Sequence, residues 1–394
     1  MGFGAIIASG GNNSLLSDEL LNCIIEVRVE QSLDERTRFA IRFSDDISGG
    51  EPRIRSSSEL ECQRMISIAV QVGDDIKCLV RGPVTNTRSS VALGGPGSWH
   101  EVHGQDRRIE MDRQTVHRAW TGRASEAAQT ILSPNFDRTN VQQTSIVYGG
   151  SRMGGQPSSS TLNQRSTDAE FMRQIARRNN LHFWIEYECH FRAAGSGGGT
   201  LQIVETANLT SSPPRPSGPA ASSTSAGSIR LVPSVPVTLR VNVERDRCQN
   251  VTAFDLNIDP ERPNRFNGSA IDDRDLSTPS TSVTDPQPLI DRQGQRMGGS
   301  REARDVSITT AGGQEELNAR AESALTEAGW FVEATASTTA HMLGGVLVPH
   351  DVIQVEGLGP VDSGPYQVKS VTHVIRATEH LMDLELRRNS IGGS

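Results

Sequence analysis

Aromatic residues are scarce in this chain. Phe, Trp and Tyr make up 4% of its 394 residues, and the whole hydrophobic set reaches 35%. Short strands joined by many turns suit that composition better than a helical bundle. Basic charge is also short. Lys and Arg number 39 against 47 Asp and Glu, a formal net charge of −8, so no overall footprint for nucleic acid is present. No apolar run approaches the roughly 18 residues of a spanning helix, and no membrane segment is expected. No basic segment followed by an apolar stretch opens the sequence, so Sec export is not expected either.

Cysteine is sparse and irregular. Cys23, Cys62, Cys78, Cys189 and Cys248 are odd in number, widely spread, and form no CxxC or Cys/His metal spacing. They point to a chain folded in a reducing cytoplasm. Cys23 and Cys78 fall in strand-like apolar runs, where a thiol acts as a small hydrophobe. The GxSxG, HExxH and GxxxxGK[ST] signatures are missing as well. No catalytic residue, cofactor-binding residue or metal ligand is therefore assigned.

What is present is period-two alternation. Cys23, Ile25, Val27 and Val29 fall on one face and Glu26, Arg28 and Glu30 on the other. Phe39, Ile41 and Phe43 repeat the pattern. Ile66, Ile68, Val70 and Val72 lead through Gly73-Asp74-Asp75 to Ile76, Cys78 and Val80, a hairpin with suitable turn chemistry. Residues 1–112 read as one antiparallel β domain, with strands in 237–260 as candidates to complete it.

Residues 113–236 read as a small α/β subdomain with a long loop. Ser125 to Leu132 is helical. Thr167 and Glu170 frame a capping box ahead of the apolar stripe Phe171, Met172, Ile175 and Ala176. Asn179-Asn180 ends that helix, and Leu181, Phe183, Ile185 and Tyr187 alternate as a strand. From Ala193 to Pro236 the chain is rich in Gly, Ser, Pro and Thr and reads as a loop or linker; 264–300 is a second polar stretch. Residues 237–394 read as a second β domain. It contains a helix near 313–328, closed by Gly329, and strands at 330–336, 352–355 and 366–375. In its last strand Met382, Leu384 and Leu386 alternate with Asp383, Glu385 and Arg387.

Some residues invite a chemical reading. His100 and His103 lie near Glu101 and Asp106, but glycines on both sides deny them the helical frame of an HxxH metal site. His182, His190, His341, His350, His373 and His380 are dispersed. Gly94-Gly95, Gly154-Gly155 and Gly298-Gly299 lack the strand-to-helix context of a phosphate loop and read as turns. Arg107, Arg108 and Arg113 form a local basic patch, read as a solvated face with docking of an acidic neighbour as the alternative.

Three stretches, in order, resemble one family. They are Glu101 to Met111 with the helix ending Ala128-Gln129-Thr130-Ile131-Leu132, then Asp168 to Trp184, then Pro349 to Gly357 leading to Gly364-Pro365-Tyr366-Gln367-Val368 and Leu384 to Asn389. The second, a helix followed by an aromatic strand, is the most specific. The chain is similar to the phage tail baseplate hub family, which includes late control protein D, the T-even baseplate hub and the N-terminal half of type VI secretion spike proteins. No internal repeat is evident in the sequence itself.

The resemblance implies a mainly β chain with α+β material: two tail-tube-like antiparallel β-barrel domains joined by a small α/β subdomain. It implies a homotrimer whose six such domains form a pseudo-hexameric ring between a six-fold tail tube and a three-fold spike. Implied partners are the tail tube or a tube-initiator protein, other baseplate proteins, a tape measure protein, and DNA or cargo passing without specific binding. The sequence reaches Ser394 without an oligonucleotide-binding-like domain or a β-helix needle, so a separate spike polypeptide is expected. The expected location is a virion or injection particle assembled in the bacterial cytoplasm. Two other classes stand beside this one: a baseplate-associated cell-wall-degrading hydrolase, and a secreted carbohydrate-binding β protein.

Overall fold

Alternating apolar residues at 27–43 and 382–386 place one face of each strand in a common core, and the strands join into one sheet. The computed structural model describes residues 4–45, 50, 52–73, 75–93, 96–149, 161–193, 199–212, 237–243, 248–271, 277–284, 290, 305–311 and 314–392. The three glycine pairs at 94–95, 154–155 and 298–299 lie outside them, as do 213–236 and most of 285–304.

The N-terminal part contributes β1 (Ile24–Ser32), β2 (Arg38–Ser44), β3 (Met65–Val72), β4 (Asp75–Ser90) and β5 (Trp99–Gln105). The α/β part contributes α1 (Ala124–Leu132), α2 (Asp168–Arg178), β6 (His182–Ala193) and β7 (Gly199–Thr210). The C-terminal part contributes β8 (Ala253–Ile258), α3 (Gln314–Ala328), β9 (Val332–Thr339), β10 (Val352–Glu356), β11 (Gly364–Ile375) and β12 (His380–Arg388). The architecture is mainly β with α+β material, as the resemblance implied.

The large sheet contains the order β4-β5-β2-β1-β11-β12-β9-β8, antiparallel throughout. The main core lies on one side of it and draws on both halves, from Val27, Val29 and Ile41 to Val371, Leu384 and Leu386. Strand pieces at 238–240 and 253–258 pair with β10 and β9, in the C-terminal half.

A repeat invisible in the sequence is explicit in the register. In β1–β2 Val27 faces Ile41 and Val29 faces Phe39; in β8–β9 Phe254 faces Ala336 and Leu256 faces Ala334. Phe39 then faces Gly104 and Ala334 faces Leu386. Next, Val84 faces Gly104 and Val368 faces Leu386, each just before a bulge, at Thr85 and at Lys369. Finally Met65 faces Pro83 and Val352 faces Gln367. The strands β1 to β5 and β8 to β12 are thus the same five-strand arrangement, pair by pair. Side-chain volumes exchange between the copies. A Cβ on Gly104 would sit 2.1 Å from Cζ of Phe39, whereas Leu386 faces the small Ala334.

Bulges explain where simple alternation failed. The register shifts between Ile24 and Glu26, so Ile24 is 9% exposed and Ile25 is 47% exposed. An extra residue reverses the phase of every side chain before it. Cys23 precedes the strand and is only partly buried. In β12, Arg387 points inward at 2% exposure, donates to Oε1 of Gln367 at 2.8 Å and stacks on Trp330. The loop expected from 193 onward is interrupted by β7, which pairs with β6 along its whole length; Leu201, Ala207 and Leu209 are buried. The polar stretch from 264 likewise holds strands Arg265–Ile271 and Ser280–Thr284.

Of the capping box expected at 167–170, the half made by the Thr167 side chain is present. Thr167 accepts from the backbone N–H of Glu170 at 3.2 Å, and Asn180 takes the left-handed conformation that ends α2. Phe171, Met172, Ile175 and Ala176 are buried against α1. Among the described residues no helix is long and apolar enough to cross a membrane.

Candidate subunit interface

The seam between the two five-strand units is the β1–β11 joint. Val27 faces Ile375, Val29 faces His373 and Gln31 faces Val371. His373 bonds Oε1 of Gln31 at 3.1 Å through one ring nitrogen and His380 at 3.0 Å through the other. Burial pushes His373 well below the usual histidine range, and burial brings His380 down to about 4. Both rings are therefore neutral at pH 7. On the opposite, solvent-facing side the seam is closed by Arg376 on Glu26 at 2.8 Å.

Each end of the eight-strand sheet presents an unmatched edge among the described residues. β4 pairs with β3 through its first half and with β5 through its second, so residues 85–90 have a neighbour on one side alone. Among the described residues β8 pairs only with β9. Beyond the β4 edge, Val91 is 67% exposed. Along β8, Phe254, Leu256 and Ile258 are half-buried and pack on the rim of the main core. Free edges of this kind are templates for another strand.

The solvent-facing side of the sheet is polar and of mixed charge. Arg42 pairs with Glu101 at 2.9 Å, and Lys369 lies 3.7 Å from both Glu333 and Glu385. Arg42 and Arg88 also flank the ring of Trp99. Exposed pairs like these add little stability each. They keep a broad sheet face wet.

The histidines and arginines singled out in the sequence do not converge. His100 is buried against Oγ of Ser89 at 2.8 Å, with its pKa lowered by burial; His103 bonds Glu101 at 3.0 Å on the other face of β5. Asp106 is elsewhere, accepting from the Thr37 and Arg108 backbone N–H groups at 2.6 and 2.9 Å. Among the described residues no group of three or more His, Cys, Asp or Glu could hold a metal. His190 and His341 are exposed.

The basic patch resolves into internal ties. Arg108 is 5% exposed; it pairs with Asp106 at 2.7 Å and donates to the carbonyls of Phe183 and Glu35 at 2.6 and 2.8 Å. Arg107 and Arg81 both clamp the fully buried Glu205 of β7, at 2.6 and 3.0 Å. Arg113 alone is exposed. These side chains lock the α/β part onto the first unit. The spacing of acids and arginines gave no hint of burial, because Glu205 is remote in sequence.

A second junction ties the α/β part to the C-terminal half. His350, with φ of 76°, stacks on Trp184 at 3.9 Å and bonds Oγ of Ser212 at 2.7 Å, while Gln367 donates to the same oxygen at 2.6 Å. Ser212 and His350 are 6% and 4% exposed. A nucleophile must reach substrate, and this hydroxyl is enclosed by packing. His182 lies 3.3 Å from Asp34 and, through that hydrogen bond, lowers the carboxyl's pKa.

No family model and no curated protein matches the sequence. Solved structures do match. The chain is similar to the tail protein from Neisseria meningitidis MC58, at 14% identity and TM-score 0.61, over 100% of this chain and 98% of that one. It is similar to the 43 kDa tail protein of prophage MuSo2 from Shewanella oneidensis, at 14% identity and TM-score 0.58, over 98% of each chain. It is also similar to an E. coli component of the type VI secretion system, described as structurally similar to T4 bacteriophage tail proteins gp27 and gp5. There the identity is 10% and the TM-score 0.51, over 98% of this chain and 77% of that one. The chain has a phage tail protein fold. More narrowly, it is the fold expected of the tail-hub family that the sequence resembles.

Proposed function

We propose that this protein is a structural baseplate hub of a phage tail or contractile injection system. Three copies form a ring of six five-strand units, adapting a six-fold tail tube to a three-fold spike. The observation that carries this reading is the repeat: one chain holds two units of matching register, placed in series within one sheet. Closed cyclic symmetry uses up the two edges of the eight-strand order that are unmatched among the described residues.

Eight strands per chain make about 24 in a trimer, and at about 4.8 Å per strand with a tilt of about 35–45° the backbone circle is roughly 45–52 Å across. Its core faces are already covered, so the polar, mixed-charge face would line the channel. A channel of that character lets DNA or cargo pass without holding it. The partners that follow are the tube or a tube-initiator protein on one side and a spike on the other. Other baseplate proteins and a tape measure protein complete the set. The role is architectural and not enzymatic, in a virion or injection particle assembled in the bacterial cytoplasm.

End-on electron micrographs of the purified protein test the reading. Rings with three-fold symmetry and six similar lobes are expected. Two-fold particles or separate single chains would contradict it.

A further inference from the structure

The chain contains its own template for a subunit contact. At the β1–β11 joint, the outer side of a unit's first strand meets the second half of the other unit's long, bulged strand. The two free edges are the same two elements left over: β8 is the first strand of the C-terminal unit, and residues 85–90 belong to the bulged strand of the N-terminal unit, with Val91 next in the chain. We infer that β8 of one copy pairs antiparallel with residues 86–91 of the next, in the register of the internal joint.

That register follows from the matched pairs. Aligning the bulges at Thr85 and Lys369 puts Thr87, Ser89 and Val91 in the places of Val371, His373 and Ile375. Aligning β8–β9 with β1–β2 puts Phe254, Leu256 and Ile258 in the places of Val27, Val29 and Gln31. Since Val27 faces Ile375, Val29 faces His373 and Gln31 faces Val371, Phe254 faces Val91, Leu256 faces Ser89 and Ile258 faces Thr87.

Surface chemistry agrees with the geometry. Val27 and Ile375 are both fully buried by the internal joint, whereas Val91 is 67% exposed and Phe254 half-buried in the single chain. The new contact buries an apolar pair at the matching place. On the polar face Ser90 meets Asp255 and Arg88 meets Asn257, so Arg88 lies diagonally across from Asp255, a pair of opposite charge. Among the described residues each chain carries one such edge of each kind, so the contact is head-to-tail and needs a ring to close.

The inference rests on the ring reading and adds its register. Its test is disulfide cross-linking in the full chain, with exposed Cys62 and Cys248 first changed to Ser. Ser89→Cys with Leu256→Cys, and separately the polar-face pair Ser90→Cys with Asp255→Cys, are oxidised and run on a denaturing gel. Covalent dimers and trimers are expected from each double variant, and only uncross-linked chain from the single variants. The off-register pair Ser89→Cys with Phe254→Cys should cross-link at least several-fold less. Dimers from Leu256→Cys alone, or equal yield from the off-register pair, would overturn the proposed joint. A trimeric parent in which neither matched pair cross-links overturns the register and leaves the ring standing. A parent that stays monomeric by mass overturns both.

Discussion

Val29 lies directly opposite His373 across the β1–β11 joint, and both side chains are fully buried. They come from the two ends of the chain, and their pairing turns two five-strand units into one sheet. Leu256 and Ser89 hold the matching places at the free edges. What the fold completes once inside the chain, it leaves incomplete at both ends.

Charge at a free edge should separate folding from assembly. Val91→Asp alters a side chain that is 67% exposed in the single chain. The expected variant keeps the parent's circular dichroism and a cooperative melt but elutes as a monomer. A variant that still elutes with the parent would contradict the edge contact.

The bulge in β1 gives a sharp contrast between neighbours. Ile24 is 9% exposed and Ile25 is 47% exposed. Ile24→Ala should cost about 2–4 kcal/mol in chemical denaturation, and Ile25→Ala under about 1 kcal/mol. The reverse order would restore the simple alternation and remove the bulge.

Arg108 and Asp106 form the buried tie between the first unit and the α/β part. Arg108→Ala leaves a buried carboxylate without its guanidinium, a change worth about 3–5 kcal/mol. A loss below about 1 kcal/mol in urea unfolding would mean that the pair is solvated.

Acid should weaken the fold through His373 and His380. Burial holds His373 well below its ordinary value of 6.5, and burial takes His380 to about 4. Both are neutral in the fold and bind protons readily once unfolded. Their contribution is full above pH 6.5 and is lost as pH falls, by up to about 1.4 kcal/mol per pH unit for each ring. Between pH 7 and pH 5 the parent should lose more stability than His373→Gln. Equal losses would assign the acid sensitivity to other groups.

Strands were legible wherever one face met the core, as at Phe39, Ile41 and Phe43 or Met382, Leu384 and Leu386, because alternation is a local signal. The capped helix after Thr167 was legible for the same reason. β7 was not: its apolar residues sit between glycine-rich and proline-rich stretches that dominate composition. Nor was the repeat. Phe39 over Gly104 and Ala334 beside Leu386 fill equivalent space with unlike residues, so backbone register is kept while sequence likeness is lost. The free edges were out of reach as well. Period two tells which face of Phe254, Leu256 and Ile258 is inward, and nothing local tells which strand has only one neighbour.

The solution mass tests the central claim most directly. Light scattering of the purified chain should give a trimer at about 128 kDa, three times its 42.6 kDa. A stable 42.6 kDa monomer at high concentration, with no binding to tube or spike proteins, would contradict the ring.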